Sequence, residues 1–298
     1  MSERKGIDVS KWNGNIDFKK VKEDGVEFVM IRAGHGSAEI DPYFEKNIKG
    51  FSEVGICIGV YWFMFPLSVE EAVKEAEAFN KIIAPYKNLI NYPVACDYEY
   101  DSIKYMEKNG VRATRELNTN IVYAFCEKME EFGWYVVNYT NYDFAKNKFD
   151  MDKLKRFDIW YARWKCEKPD RNDMGIWQWT SDGSVKGING RVDMNIGYRD
   201  YPKIISNMRN KNDKDSGEVP TKKFKELYSE NTAVKIMVPR YDSNMREYAG
   251  LNFKIVDTIP KDTSVFCDGI YVIDENNSFW YHVIYNGKSG FVKDECFI

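Results

Sequence analysis

Histidine is almost absent from this 298-residue chain, which carries only His35 and His282. A zinc hydrolase needs about three protein ligands and usually draws on histidine, so no metal is expected, and no organic cofactor is implied. The six cysteines, Cys57, Cys96, Cys126, Cys166, Cys267 and Cys296, include no C-x-x-C pair. That spacing excludes a zinc ribbon and a dense disulfide framework, and predicts reduced thiols packed among apolar side chains. No apolar run has the length of a membrane span or of a leader's apolar segment. The opening "MSERKGIDVS" passes from charged residues straight into a strand-like segment, so the expectation is a protein made in the cytoplasm without a signal peptide and without membrane insertion. Positive charge is not in excess either. With 43 Lys and Arg against 46 Asp and Glu, the formal net charge is −3 and the pI near 5.7, which offers no general attraction for phosphate backbones and argues against nucleic acid as a partner. What is plentiful is aromatic: 20 Tyr, 18 Phe and 8 Trp, rings that fill cores and also serve as flat platforms for sugars.

Short β-branched and aromatic runs alternate with amphipathic segments, the pattern of βα units around a mostly parallel sheet. The strand candidates are "GIDVS" at 6–10, "FVMIRA" at 28–33, "ICIGVYWF" at 56–63, "PVACDY" at 93–98 and "WYVVNYT" at 134–140. Helix patterns lie between them at 17–24, 43–54, 69–84 and 112–132. In "VEEAVKEAEAFNKIIA", Val69, Ala72, Val73, Ala76 and Phe79 form one stripe that ends before Pro85. After residue 150 helices thin out, leaving "DIWYARW", "GIWQWT" and "RVDMNIG" as strands joined by turns. Eight strand candidates by residue 197 predict an α/β fold: an irregular TIM-like β/α barrel with an incomplete helical coat.

The fourth strand candidate ends in "VACDYEYDS", with Asp97, Glu99 and Asp101 at alternate positions. Side chains two apart on a strand share a face, so Asp97 and Glu99 stand about 7 Å apart on one side. Tyr98 and Tyr100 face the other way, and Asp101 reads as a turn or helix-capping residue. In a parallel barrel functional groups gather at the carboxyl ends of the strands. Those ends supply Asp8, Tyr61, Phe63, Tyr139, Trp160 and the residues to Arg163, Gln178 and Trp179, with Asp193 at the start of the eighth strand. Carboxylates ringed by aromatic residues suit glycoside hydrolysis, where one carboxyl protonates the leaving oxygen and another charge stabilises an oxocarbenium-like transition state. Trp62 reads as core, with Tyr61, Tyr139 and Trp179 as the better platforms. A cysteine peptidase would need a Cys–His pair in one site, and Cys96, one residue before Asp97, points into packing instead.

Taken in order, "GIDVSKWNGNIDF", "FVMIRAGHG", "GVYWF", "DYEYD", "VNYTN", "IWYARW" and "IWQWTSDGSVKGINGRVDMN" resemble the family 25 glycoside hydrolases, the Chalaropsis-type lysozymes, over roughly residues 4 to 205. The resemblance implies a β/α barrel that cleaves the β-1,4 bond between N-acetylmuramic acid and N-acetylglucosamine in bacterial peptidoglycan. It implies Glu99 as general acid with Asp97 beside it, and Asp8 and Asp193 as the other active-site acids. His35 in "RAGHG" departs from the aromatic residue that many relatives carry. On this reading apolar surroundings and the charge of Asp97 raise the Glu99 pKa, while Asp97, more solvated, stays ionised. Asp97 then has two possible roles, direct electrostatic stabilisation or orientation of the substrate's own 2-acetamido group.

Residues 207–222, "NMRNKNDKDSGEVPTK", lose apolar periodicity and gain charge, Gly and Pro, which predicts a linker between a catalytic barrel at 1–206 and a second domain at 223–298. In the tail, "WYHVIYNGKSGFV" carries the Asn286-Gly287 hairpin signal and resembles bacterial SH3-like wall-binding domains. A lysozyme without a leader but with a wall-binding tail resembles phage or prophage endolysins, or an autolysin that reaches the wall after release. The other classes that fit a wall-binding tail are a non-catalytic peptidoglycan-binding protein and a cysteine-dependent wall endopeptidase.

Overall fold

Strand-forming runs that are apolar on both faces dominate the first two hundred residues, and such strands need cover on both sides. In "FVMIRAGH" the covers are different: Phe28 and Met30 pack in one buried cluster with Tyr61, Tyr92 and Trp160, while Val29, Ile31 and Ala33 pack in another with the helices. The first cluster fills the inside of a barrel and the second lies between barrel and coat. The computed structural model describes residues 3–215, 226–228, 235–247, 251, 253–273 and 278–297, which fall into two units, Met1–Asp213 and Lys214–Ile298.

The first unit runs β1 (Arg4–Val9), α1 (Phe18–Glu23), β2 (Phe28–His35), a two-residue β3 (Glu39–Ile40), α2 (Phe44–Glu53), β4 (Cys57–Phe63) and α3 (Val69–Ile83). It continues with β5 (Ile90–Asp97), α4 (Tyr100–Lys108), α5 (Arg115–Glu131), β6 (Val136–Asn141), α6 (Met151–Leu154), β7 (Asp158–Ala162), β8 (Ile176–Gly183), β9 (Val192–Gly197) and α7 (Tyr201–Asp215). Neighbouring strands pair in the order β1-β2-β4-β5-β6-β7-β8-β9, and β9 pairs back onto β1, so eight strands close a ring. All the pairings from β1 to β8 are parallel, and β9 is antiparallel to both β8 and β1. The eight expected strands all form. The coat is incomplete where expected: no helix follows β7 or β8, and there Tyr161, Met174 and Trp177 seal the outer face instead. At the amino end of the barrel Phe28 stacks on Tyr92, ring centroids 4.3 Å apart. Gly6 and Gly197 leave room for this pair, since a Cβ at Gly6 would stand 2.1 Å from the Phe28 ring and one at Gly197 2.3 Å from the Tyr92 hydroxyl.

Helix α3 starts where Ser68 accepts a hydrogen bond from Glu71 N and buries Ala72, Glu75, Ala76, Phe79 and Ile83. A carboxylate on that buried face is the one exception to its apolar stripe. Glu75 is 4% exposed and its oxygens accept from Trp62 Nε1 at 3.0 Å and Phe65 N at 3.1 Å, so it caps a strand end from the helix side. Trp62 is fully buried, as expected of a core residue. Helix α4, which the sequence showed only as a capping position, is anchored by buried Ile103 and Met106. Asp101 lies in its first turn, exposed and paired with Lys104, while the N-cap is Glu99. Helix α7 occupies residues 207–215 of the expected linker: apolar spacing is poor there, but Tyr201 and Ile205 bury and Arg209 donates to Ile90 O. Residues 216–222 of that linker lie outside the described residues. Among the described residues no helix is long and apolar enough to cross a membrane, and none of the six cysteines is in a disulfide.

The second unit is an antiparallel sheet. Its strands are β10 (Glu226–Tyr228), β11 (Lys235–Met237), β12 (Ser243–Arg246), β13 (Ile255–Ile259), β14 (Val265–Ile273), β15 (Phe279–Tyr285) and β16 (Lys288–Lys293). They pair in the order β10-β14-β15-β16-β12-β13, with β11 also on β14. The expected hairpin is β15–β16: Tyr285 pairs with Lys288, and Asn286 and Gly287 both adopt positive φ, 50° and 70°, as a type I′ turn demands. Met245, Ile259, Val265, Val283 and Val292 form its core.

Burial pushes the Glu75 pKa up from 4.5 to about 7 against two hydrogen bonds that pull it down. An unfolded Glu75 ionises near 4.5, so the folded state holds the extra proton between those values, and stability present below pH 4.5 is lost as pH rises through 7. That loss amounts to about 3 kcal/mol. Glu75→Gln keeps one oxygen where it can accept both N–H groups and has no proton to lose. The stability difference between variant and wild type, read from urea midpoints at pH 4 and pH 8, is therefore expected to move by about 3 kcal/mol in favour of the variant; parallel profiles would contradict it.

Candidate active site

Because β9 runs against its neighbours, its beginning lies at the end of the barrel where the parallel strands finish. The register makes Asp8, near the end of β1, the direct partner of Asp193, near the start of β9. Two carboxylates therefore meet across one strand pair. Asp8 is buried, and its Oδ2 accepts from Gln178 Nε2 at 2.9 Å and from Asn195 Nδ2 at 2.8 Å. Each amide is itself fixed. Trp160 Nε1 donates to Asn195 Oδ1 at 2.7 Å, and Tyr139 OH and Trp164 Nε1 both donate to Gln178 Oε1 at 3.1 Å. An indole N–H only donates, so it holds each amide oxygen towards itself and turns the NH₂ towards Asp8. Burial and the charge of Asp193 push the Asp8 pKa well above the carboxylate range, and the two amides oppose that rise. Asp193, half-buried, is pushed up to about 6 by burial.

The second carboxyl pair ends β5. Asp97 is the last strand residue, between Phe63 of β4 and Tyr139 of β6 in register. Glu99 follows in extended conformation, φ −130° and ψ −166°, before α4 begins, so the alternation carries both carboxyls to one side although the ladder stops at Asp97. Ser102 locks this turn: its Oγ accepts from Glu99 N at 3.1 Å and donates to Met64 O at 2.6 Å. The structure corrects the expected solvation. Asp97, not Glu99, is the deeper group, 6% exposed. Burial, then the charge and hydrogen bonding of Glu99, push Asp97 well above the usual carboxylate range, against the pull of the Arg32 guanidinium. Glu99 is raised too, chiefly by burial. Four carboxyls crowded in this way disfavour one another's ionisation, and Asp97 and Glu99, both raised, titrate as an interacting pair.

The structure brings Asp8, Asp97, Glu99, Asp193, Tyr61, Tyr139 and Gln178 to this end of the barrel, where all four acids act electrostatically on Tyr139 and Asp8, Asp97 and Asp193 act on Tyr61. Tyr61 and Tyr139 lie edge-on to Trp160, centroids 5.7 and 4.8 Å away, and are themselves buried, so they wall the site from below. Trp160 is 1% exposed. It offers no ring face to a ligand, contrary to its expected place among the binding residues, because position 160 points into the barrel; its contribution is the bond to Asn195. Phe63 is half-buried and edge-on to Phe65. Trp179 falls where the β8–β9 register shifts between Gln178 and Thr180, and this irregularity leaves it 38% exposed.

Sequence reasoning missed Asn195, Arg32 and the exposed rings of Trp12, Tyr142 and Trp164. The alternation rule applied to Asp97 and Glu99 finds the first two, since Asn195 is two residues after Asp193 and Arg32 two after Met30. Arg32 is held by Asp41, whose Oδ2 lies 2.8 Å from Nε and 2.7 Å from Nη2. His35 stands beside this site with Nε2 3.3 Å from Glu39 Oε1, and burial lowers its pKa. Cys96 faces the helix side, Sγ 3.0 Å from Met64 Sδ, and burial raises its thiol pKa; a nucleophilic cysteine needs the opposite. Among the described residues no group of three or more His, Cys, Asp or Glu side chains is arranged to hold a metal ion.

Comparison with known proteins places this geometry in context. The family model for the glycosyl hydrolases of family 25 matches residues 7–188, more than half of the chain. An autolytic lysozyme of Clostridium acetobutylicum is 29% identical over 192 residues, covering 64% of this chain and 54% of that protein. The structure of a family 25 glycosyl hydrolase from Bacillus anthracis is 28% identical with a TM-score of 0.56, covering 68% of this chain and 92% of the other. The modular autolysin LytC of Streptococcus pneumoniae, in complex with a synthetic peptidoglycan ligand, is 27% identical with a TM-score of 0.56, over 66% of this chain and 47% of that one.

Trp160→Phe keeps an aromatic ring but leaves Asn195 Oδ1 without its donor in a closed interior. A loss of about 2–4 kcal/mol is expected from the missing bond and the void beside the smaller ring. Urea denaturation at pH 7 checks it, and an unchanged midpoint would show that the indole N–H holds nothing in place.

Proposed function

The chain belongs to the glycosyl hydrolases of family 25, and from that membership we propose that it is a lysozyme, an N-acetylmuramidase acting on bacterial peptidoglycan. It hydrolyses the β-1,4 bond between N-acetylmuramic acid and N-acetylglucosamine. The observation that carries the reading is the Asp97–Glu99 pair, two carboxyls with raised pKa values at the carboxyl end of the barrel. Glycoside cleavage needs one carboxyl that still holds a proton at neutral pH and a second group that bears charge as the oxocarbenium-like centre forms.

Glu99 is the general acid in this proposal. It is the less buried of the pair and so the one that can reach a glycosidic oxygen, while Asp97 beneath it shares the proton. As the C–O bond breaks, the proton passes to the leaving oxygen and the pair becomes doubly charged beside the developing positive ring. Asp97 then stabilises that ring directly or through the substrate's 2-acetamido group. Asp8 and Asp193, facing each other on β1 and β9, add negative potential to the same place. Trp179, with the exposed rings of Trp12 and Trp164, supplies the sugar platforms. The second unit acts as a wall-binding domain in this scheme, as in an endolysin or autolysin, and keeps the barrel near an insoluble substrate.

Glu99→Gln preserves shape and removes the proton donor, so the rate is expected to fall about 10²- to 10⁴-fold. Turbidity loss of purified cell walls, with the melting curve as control, measures this; a folded variant that retains near wild-type lysis removes Glu99 from the acid role. A chain ended at Asp215, after α7, is expected to cut soluble muropeptide oligomers at nearly the full rate but to lyse whole cells more slowly, because tethering raises effective concentration by about 10²-fold or more. Equal lysis of whole cells by both forms would leave the second unit without a wall-binding role.

A further inference from the structure

Trp164 stands at the rim, two residues past the end of β7, 43% exposed. A ring so placed reads first as a sugar platform, but its N–H is turned inward and spent on a buried amide. The path runs in two hydrogen bonds, Trp164 Nε1 to Gln178 Oε1 at 3.1 Å and Gln178 Nε2 to Asp8 Oδ2 at 2.9 Å. The segment that carries the indole is pinned to β8 by the residue just before it: Arg163 N donates to Gln178 O at 3.0 Å, and Trp177 Nε1 donates to Arg163 O at 2.9 Å. The other amide on Asp8 is held by Trp160, which is wholly buried. Of the two indoles that orient donors onto Asp8, only one has a face that a ligand can touch.

We propose that Gln178 is a positioning residue for Asp8, and that Trp164 is the donor at the rim that fixes its amide, so that a sugar stacked on Trp164 also fixes the charge environment of the acid cluster. An amide turned by 180° would present its oxygen to Asp8 Oδ2, placing a partial negative charge against a carboxylate already crowded by Asp193 and Glu99. Tyr139 OH can donate or accept and tolerates either orientation; the indole tolerates one. A bound saccharide that immobilises the half-exposed ring therefore removes the flipped arrangement at the moment when Asp8 must support positive charge. This rests on the muramidase reading of the site.

The test separates the ring from its N–H. Trp164→Phe keeps a stacking face and lacks the donor, so with soluble muropeptide oligomers KM is expected to stay within about twofold while kcat falls about tenfold, the size of one net hydrogen bond. The same substitution made in a Gln178→Met background, where no amide remains to orient, is expected to lower kcat by no more than about twofold relative to Gln178→Met alone. Replacing Trp164 by β-(3-benzothienyl)alanine, the same bicyclic shape with sulfur in place of N–H, should reproduce the loss without a smaller ring. Wild-type kcat with that analogue, a change confined to KM, or an equal loss in the Gln178→Met background would each show that Trp164 acts only as a platform and would overturn the proposal. Wild-type protein that releases no reducing-end muramic acid would instead overturn the muramidase reading on which it rests.

Discussion

Four carboxyl groups packed at one end of a closed barrel repel one another in surroundings from which water is largely excluded, and much of the site is a response to that repulsion. Taking such groups out of water costs several kcal/mol each unless charge is removed or answered. The barrel does both. Burial and mutual repulsion push Asp97 and Glu99 towards their protonated forms, while Asp8 receives two amide N–H donors whose orientation is dictated by indoles that can only donate. Arg32, itself anchored on Asp41, pulls the Asp97 pKa back down. A retained proton is a stability burden for a fold and an asset for an acid catalyst, which is why a strained electrostatic arrangement sits here and apolar packing elsewhere.

The topology makes this meeting possible. A fully parallel ring would bring the eighth strand up from the other end, with its beginning at the amino face. Reversing β9 allows a short connection from β8 and sets Asp193 directly opposite Asp8. It also sets Asn195 opposite Gln178, so the two amides that reach Asp8 come from paired positions on adjacent strands.

The strands were legible because each carries a run of residues apolar on both faces, and Asp97 with Glu99 was legible because period-two alternation survives one residue past the ladder. Asn195 was equally available to that rule. Other features depend on information that no local window contains. The depth of Asp97 below Glu99 follows from β4 and β6 on either side of it, and whether Trp160 or Trp164 shows a face follows from which way the chain leaves β7. Glu75 looked like a polar position in an amphipathic helix until Trp62 and Phe65 N were seen to converge on it. Helix α7 escaped notice because its later turns lack an apolar stripe, and a helix secured by its first turn and an Arg209 bond to a carbonyl leaves little periodic trace.

The account stands or falls on a proton held between Asp97 and Glu99 at neutral pH. Carbonyl ¹³C chemical shifts of selectively labelled aspartate and glutamate, followed from pH 3 to pH 9 and assigned with Asp97→Asn and Glu99→Gln, measure it directly. The expected result is two coupled transitions for this pair, the upper one displaced well above the ordinary carboxylate range, and a single transition below that upper one when either partner is replaced by its amide. Independent titration of both groups near their ordinary values of about 4 would mean that no proton is retained, and that the acid in this site lies elsewhere.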